Sequence, residues 1–329
     1  MIRCINMSPT ATRRHLLHLA CAWTALGVLT WIPIAHAEPV VPGNGFELPG
    51  VGDDLEDRQW QYRPNGKKSS RNIDERERGP LGRSANGRWS EGPHRGQPDL
   101  IKRVPTPAHG LPGSEGSLLI RTLHPGIPGE LTHKPQQDDL ILDVQKRLGR
   151  SVPPSATPSC VTRVYLPPLD EWEDRSGSHF GFRLDTWGRR KLSLKTEQYW
   201  PGIFINFRSQ SDSRFDDDSA FLLIRANSRG MDIKGPEIKQ LGWWTLGMSV
   251  CADGQIHYYA SPGIGDLSDG DYLTSQYCYG YRCSRVDLFF FNVVTTDDGR
   301  TRSTPWIIDD PTFFTTKQIA SKSRSSLFR

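Results

Sequence analysis

The sequence predicts an all-β protein, an antiparallel β-sandwich, on three observations. Strand-length segments that alternate apolar and polar residues recur at short intervals from residue 117 onward, turn signals separate them, and no sustained helical period competes with them. Many short strands joined by turns, without crossover helices, fold as a sandwich or barrel and not as a parallel sheet.

Residues 1–37 read as an export signal. Arg13 and Arg14 precede an apolar stretch from Leu16 to Ile34, and Ala35-His36-Ala37 is a small-x-small cleavage pattern before Glu38. Arg13-Arg14 also fits a twin-arginine export signal. His18 and Pro33 interrupt the apolar run, which argues against a membrane anchor and for a mature protein with no membrane span. His18, three residues before Cys21, stands where a lipoprotein signal has leucine, so lipid attachment is not expected. The expected location is secreted, periplasmic or cell envelope. Loss of residues 1–37 removes Arg3, Arg13 and Arg14 and no acid, so the formal charge falls from +4 to +1. A near-neutral mature chain gives no electrostatic case for nucleic acid.

The mature chain divides into a first strand with an irregular arm (38–116), a sandwich domain (117–316) and a frayed tail (317–329). Residues 49–115 are dense in Gly, Pro, Ser and alternating charge, as in Asp74-Glu75-Arg76-Glu77-Arg78, and the pieces around Trp60 and Trp89 are the ones able to dock on a core. Strands are expected at 117–122, 139–144, 160–166, 178–185, 202–208 and 220–226. Further strands are expected at 243–251, 255–260, 284–294, 306–308 and 312–315. Residues 138–148 have a weak helical alternative, but their start is strand-like. Asp253-Gly254 reads as a type I′ hairpin turn.

Cys160, Cys251, Cys278 and Cys283 survive maturation, and an even count in an exported chain favours two disulfides. Of three connectivities, Cys278 with Cys283 and Cys160 with Cys251 are preferred. A zinc site lacks a second matching pair.

A period of two assigns Val164, Leu166, Phe180, Phe182, Leu184, Ile203, Ile205, Phe207, Ile256 and Tyr258 to a core. Their alternates form a polar, aromatic population: Arg163, Tyr165, His179, Arg183, Asp185, Phe204, Asn206, Arg208, Gln255, His257 and Tyr259. Guanidinium forks and planar amides hydrogen-bond sugar hydroxyls and carboxylates, and aromatic rings cover the apolar faces of sugars. These side chains are expected to make one ligand face on a concave sheet, with Tyr279 and Tyr281 lining one end. The arginines and histidine favour an anionic glycan.

Asn44-Gly45-Phe46-Glu47 and Trp306-Ile307-Ile308-Asp309-Asp310 bracket nearly the whole mature chain, and Trp243-Trp244-Thr245 leads through Asp253-Gly254 to Tyr259. These segments resemble carbohydrate-binding jelly rolls and concanavalin A-like lectin and glucanase sandwiches. The resemblance implies adjacent first and last strands, a glycan partner, and a structural calcium with Glu47 and Asp310 as its side-chain ligands. Gln255-Ile256-His257 is similar to the Q-I-H tripeptide of jelly-roll alginate lyases. The R-x-E-x-R strand and tyrosine-bearing C-terminal strand of that family are absent. The alternative this implies is a uronate lyase with His257 or Tyr259 as base and Gln255 or an arginine neutralising the carboxylate. A structural envelope protein without ligand is the third reading. The paired-carboxylate strand of laminarinase-type hydrolases, a Ser-His-Asp set and phosphate or dinucleotide loops are missing. No cofactor is needed for chemistry.

Overall fold

The computed structural model describes residues 38–319. The expected export signal and residues 320–329 lie outside the described residues. In chain order the strands are β1 (Phe46–Glu47), β2 (Tyr62–Arg63), β3 (Arg83–Ser84), β4 (Trp89–Glu91), β5 (Leu100–Pro105), β6 (Gly116–Arg121), β7 (Pro135–Asp143), β8 (Ser159–Leu166) and β9 (Gly177–Arg190). They continue as β10 (Glu197–Tyr199), β11 (Gly202–Arg208), β12 (Ser219–Arg225), β13 (Ile233–Ile238), β14 (Gly242–Val250), β15 (Ile256–Pro262), β16 (Tyr272–Gln276), β17 (Tyr281–Thr296) and β18 (Trp306–Thr315). Helices are short: α1 (Arg71–Asp74) and α2 (Val144–Leu148).

All pairings between these strands are antiparallel, and they build two sheets. The smaller, eight-stranded sheet runs β16-β15-β14-β8-β18-β6-β5, with β1 on β18. The larger, ten-stranded sheet runs β13-β12-β11-β9-β17-β7-β4-β3-β2, with β10 on β9. First and last strands are neighbours as expected, Phe46 opposite Thr315. The 138–148 segment is both of its alternatives in turn, strand β7 to Asp143 and then α2, whose first turn is capped by the Asp143 carboxylate on the Lys146 amide at 2.8 Å.

Every residue that alternation assigned to the core lies in one hydrophobic cluster between the sheets. Phe180 from the larger sheet packs on Trp306 from the smaller, ring centroids 5.1 Å apart, and Phe289 packs on Phe313 at 5.9 Å. Each such ring removes its whole apolar surface from water, about 1.5–3 kcal/mol per side chain. The β14–β15 hairpin forms where expected, but not as a type I′ turn. Within it only Gly254 has positive φ, 82°, which fits a type I turn closed by a glycine bulge.

The segment expected as an irregular arm keeps long irregular stretches, and it is also fastened into both sheets: β2–β4 extend the larger sheet and β5 edges the smaller. Trp60 and Trp89 do dock, both donating Nε1–H to Asp53 Oδ2, at 3.0 and 2.6 Å. Lys68 Nζ lies 2.7 Å from Asp138, 2.9 Å from Asp99 and 2.9 Å from the His124 carbonyl. Glu91, almost fully buried, accepts from Ser69 N, Gly82 N and Asn65 Nδ2. Polar contacts of this kind replace an apolar period as the reason the arm is ordered, and an alternation test does not see them.

Neither preferred disulfide is present: all four cysteines are free and buried. Cys160 faces Met248 one rung from the end of the β8–β14 ladder, while Cys251 lies beyond that ladder with its thiol on the Glu38 carbonyl. The Cys278 sulfur meets the Tyr258 hydroxyl at 2.8 Å, and the Cys283 thiol donates to the Arg285 carbonyl.

Candidate functional site

Direct register partners across an antiparallel sheet share a face, so one rung can be followed over the outside of the larger sheet. From β12 inward it reads Arg225, Gly202, Arg183, Phe290 and Ile141. The next rung reads Phe204, Gly181, Asn292 and Asp139. The glycines are what let these two rungs interlock. A Cβ on Gly202 would stand 2.6 Å from Arg183 Cγ, and one on Gly181 would stand 2.8 Å from the Phe204 ring and 3.1 Å from Asn292 Oδ1.

Arg183 occupies the centre. Its guanidinium carbon lies 5.3 Å from the ring centroids of both Phe204 and Phe290. Nη2 donates to the Trp200 carbonyl at 2.5 Å and Nη1 to Asn292 Oδ1 at 3.3 Å, while Nε is buried without a partner among the described residues. Burial first, then the neighbouring Arg95, lowers the Arg183 pKa to about 10. The Asn292 amide donates to Asp139, whose carboxyl is pushed up by burial.

A small pocket opens here, lined by Asn72, His94, Arg95, Asp139, Arg183, Trp200 and Phe290. Arg95 bonds the Gln137 side chain, and His94 Nδ1 is 3.1 Å from Asn72 Oδ1. Burial, then Arg71, holds the His94 imidazole below its usual pKa, which favours its neutral form. Asp185 borders the pocket from the next rung, accepting from Gln198 Nε2 at 2.6 Å and Trp200 Nε1 at 2.9 Å. Neither Arg183 nor Arg95 has an ion pair among the described residues. The pocket thus presents two cations, the Asp139 carboxyl, an imidazole, the Asn72 amide and aromatic surface.

No protein-family model and no curated protein matches the chain. Among solved structures it is similar to the CBM2 module of the evolved Dit protein of Lactobacillus casei BL23 phage J-1, with 12% identity over 81% of this chain and 96% of that one at a TM-score of 0.35. It is similar to peanut lectin, with 10% identity over 67% and 91% of the two chains at 0.34. The alginate lyase from Klebsiella pneumoniae aligns with 10% identity over 67% and 84%, also at 0.34. The fold is an antiparallel β-sandwich. The two facing antiparallel sheets, with β1 beside β18, carry that assignment.

The sandwich divides the expected ligand face in two. Arg163, Tyr165, Gln255, His257 and Tyr259 belong to β8 and to β15 and its leading turn in the smaller sheet; Arg183, Asn206 and Arg208 belong to β9 and β11 in the larger. Outer faces of a sandwich point to opposite sides, so these sets cannot meet one ligand. On the smaller sheet, moreover, residues 38–44 cross the outer face. Val40 O accepts from Ser249 Oγ at 2.5 Å, and Val41 packs with Val161, Tyr259 and Leu267. His257 and Tyr259 are 1% and 0% exposed. His257 Nδ1 is engaged by Ser275 Oγ at 2.5 Å, and Tyr165 packs edge-on against Trp243. The Q-I-H strand is therefore covered, and His257 and Tyr259 are placed as packing groups.

Two further residues are corrected. A bulge between Ile205 and Asn206 turns His179 off the ligand face, to pack on Trp172 and Phe207 with Nε2 on the Arg175 carbonyl at 2.7 Å. Tyr281 turns inward to stack on Tyr199 at 4.9 Å. Asn206 and Arg208 do lie on the larger sheet's outer face, away from the pocket: Asn206 bonds Ser178, and Arg208 covers Phe221 at 4.7 Å and pairs with Glu237. Tyr279 stands near enough to Arg225 and Arg183 for both to favour its ionised form, although burial dominates and pushes its hydroxyl up.

Glu47 and Asp310 do not fit a calcium site. Asp310 is 3.3 Å from the Arg163 guanidinium, which also pairs with Asp266 at 2.9 Å, so a cation already serves that carboxylate. Among the described residues no group of three or more His, Cys, Asp or Glu could hold a metal ion.

Asn72, His94 and Arg95 come from the aperiodic arm, where no pattern marks them. Asn292 did carry a signal: it is the one polar residue in the run from Leu288 to Val294.

Burial pushes the carboxyls of Asp138 and Asp185 up to about 7 and those of Asp309 and Asp310 up to about 6. Unfolded, these groups release protons near pH 4. Between those limits the folded state holds more protons, so their contribution to stability is present below about pH 4 and is lost as pH rises through 6 to 7. The melting temperature is expected to rise when pH is lowered from 8 to 5; calorimetry across that range checks it, and a flat or falling profile contradicts the placement of these four groups.

Proposed function

We propose that the pocket around Arg183, on the outer face of the larger sheet, binds an anionic polysaccharide, and that the protein meets it outside the cytoplasm after export. One observation carries this reading: among the described residues neither Arg183 nor Arg95 has an ion pair, and the one acid of their pocket, Asp139, is held by the Asn292 amide with its carboxyl pushed up by burial, so an anion supplied by a ligand completes the site. Trp200, partly exposed, offers aromatic surface beside those cations, and the exposed Asn72 amide supplies hydroxyl partners. Affinity electrophoresis against neutral, uronate and sulfated polysaccharides tests it. Retardation by the anionic polymers, weakening with salt, is expected; retardation by neutral polymers alone contradicts it.

His257→Ala is expected to leave that retardation unchanged, because His257 is covered by residues 38–44 on the opposite side of the sandwich. Loss of retardation in a folded His257→Ala protein would move the site to the smaller sheet.

A second reading rests on His94. A neutral imidazole beside cations able to hold a carboxylate is suited to removing the proton alpha to that carboxylate, the first step of uronate β-elimination. Incubation with uronate polymers then yields unsaturated product absorbing in the ultraviolet, abolished by His94→Ala. No absorbance from any uronate polymer leaves binding alone.

A further inference from the structure

The rung through Arg183 continues past the pocket. Beyond Phe290 and Ile141 it passes to Ser90 on β4, Arg83 on β3 and Arg63 on β2, each the direct register partner of the one before. Two grooves follow this row, of about 490 and 390 Å³. The first is lined by Ile141, Leu288, Ser90 and Lys146, and it meets the Arg183 pocket along three elements. Pro93 adjoins His94, Ile141 lies two residues from Asp139 on β7, and Leu288 lies two from Phe290 on β17. The second groove shares Pro80, Leu81 and Arg83 with the first and adds Arg63. The depression is thus continuous over β17, β7, β4, β3 and β2. Four inter-strand steps make it about 19 Å long.

Its charge has one sign where it is free. Arg63, Arg83 and Lys146 are exposed, and among the described residues none of them has an ion pair or a side-chain hydrogen bond. Of the acids on the walls, Glu91 is buried and occupied by Ser69, Gly82 and Asn65, and the Asp143 carboxylate caps α2.

Building on the proposed glycan function, we infer that the Arg183 pocket is one end of a track taking an internal stretch of a long anionic chain, with Arg63, Arg83 and Lys146 reading its successive charges. The site is then one for polymer and not for a terminal sugar.

Calorimetric titration of the full chain with size-defined oligogalacturonates, dimer to decamer, tests this. Affinity is expected to rise on the order of tenfold or more from dimer to octamer and then level off, as charges are added along the track. In the triple variant Arg63→Ala, Arg83→Ala, Lys146→Ala, the ratio of octamer to dimer affinity is expected to fall towards one. All three side chains are exposed, so the fold should tolerate their loss. Dimer binding with no gain in length, or an unchanged ratio in the triple variant, overturns the track and leaves the pocket standing. Absence of binding at every length overturns the pocket reading and the track with it. Tighter binding of a single-stranded oligonucleotide at the same residues overturns the assignment to a glycan.

Discussion

Replacing Arg183 by Met is expected to weaken binding of an anionic polysaccharide by roughly tenfold to a hundredfold, the loss of one or two charge-assisted hydrogen bonds in a desolvated site. Arg183 is 4% exposed and its guanidinium lies 5.3 Å from both the Phe204 and Phe290 rings, so a methionine keeps much of the packing while removing the fork. Arg183→Lys is expected to recover little, because a point charge cannot reproduce bonds to both Trp200 O and Asn292 Oδ1. Calorimetric titration measures the affinity, and a thermal melt shows whether the variant is folded. Should Arg183→Met fail to fold, the half-buried Arg95→Ala carries the same expectation. Wild-type affinity in either folded variant contradicts the site.

Lys68→Met is expected to cost about 3–5 kcal/mol of stability, the usual consequence of stripping one partner from a buried ion pair. The Asp138 side chain is fully buried, and its Oδ2 rests on Lys68 Nζ and Thr122 Oγ1. Without the ammonium the carboxyl takes up a proton more readily, so the loss should be smaller at pH 5 than at pH 8. Denaturant unfolding at the two pH values checks both magnitude and direction. A loss below about 1 kcal/mol at pH 8, the range of an exposed pair, would mean that the arm is not fastened through this contact.

What the sequence revealed and what it hid follow from the kind of signal each residue carries. Alternation places Phe180, Phe182 and Leu184 in the core because a strand's side chains change face at every residue, and one buried face selects the apolar set. The same alternation says that Arg163 and Arg183 point outward without saying from which sheet. That is decided by which strands pair, β8 with β14 and β18, β9 with β11 and β17, and those partners lie up to about 150 residues apart. His179 was misplaced by a single bulge, which has no signature in a lone strand. The Q-I-H strand was over-read because residues 38–44, which cover it, have no period of their own. His94 and Arg95 were missed for the same reason: they sit in the aperiodic arm and are placed by side-chain contacts to Asn72 and to Gln137 on β7.

The proposed ligand face is the outer face of the larger sheet and not the Q-I-H side. A crystal structure with a bound anionic oligosaccharide tests that most directly. A sugar on Trp200 with its acidic group between Arg183 and Arg95 is the expected result. Sugar density against Arg163 and Asp266, on the smaller sheet beside residues 42–44, would contradict it.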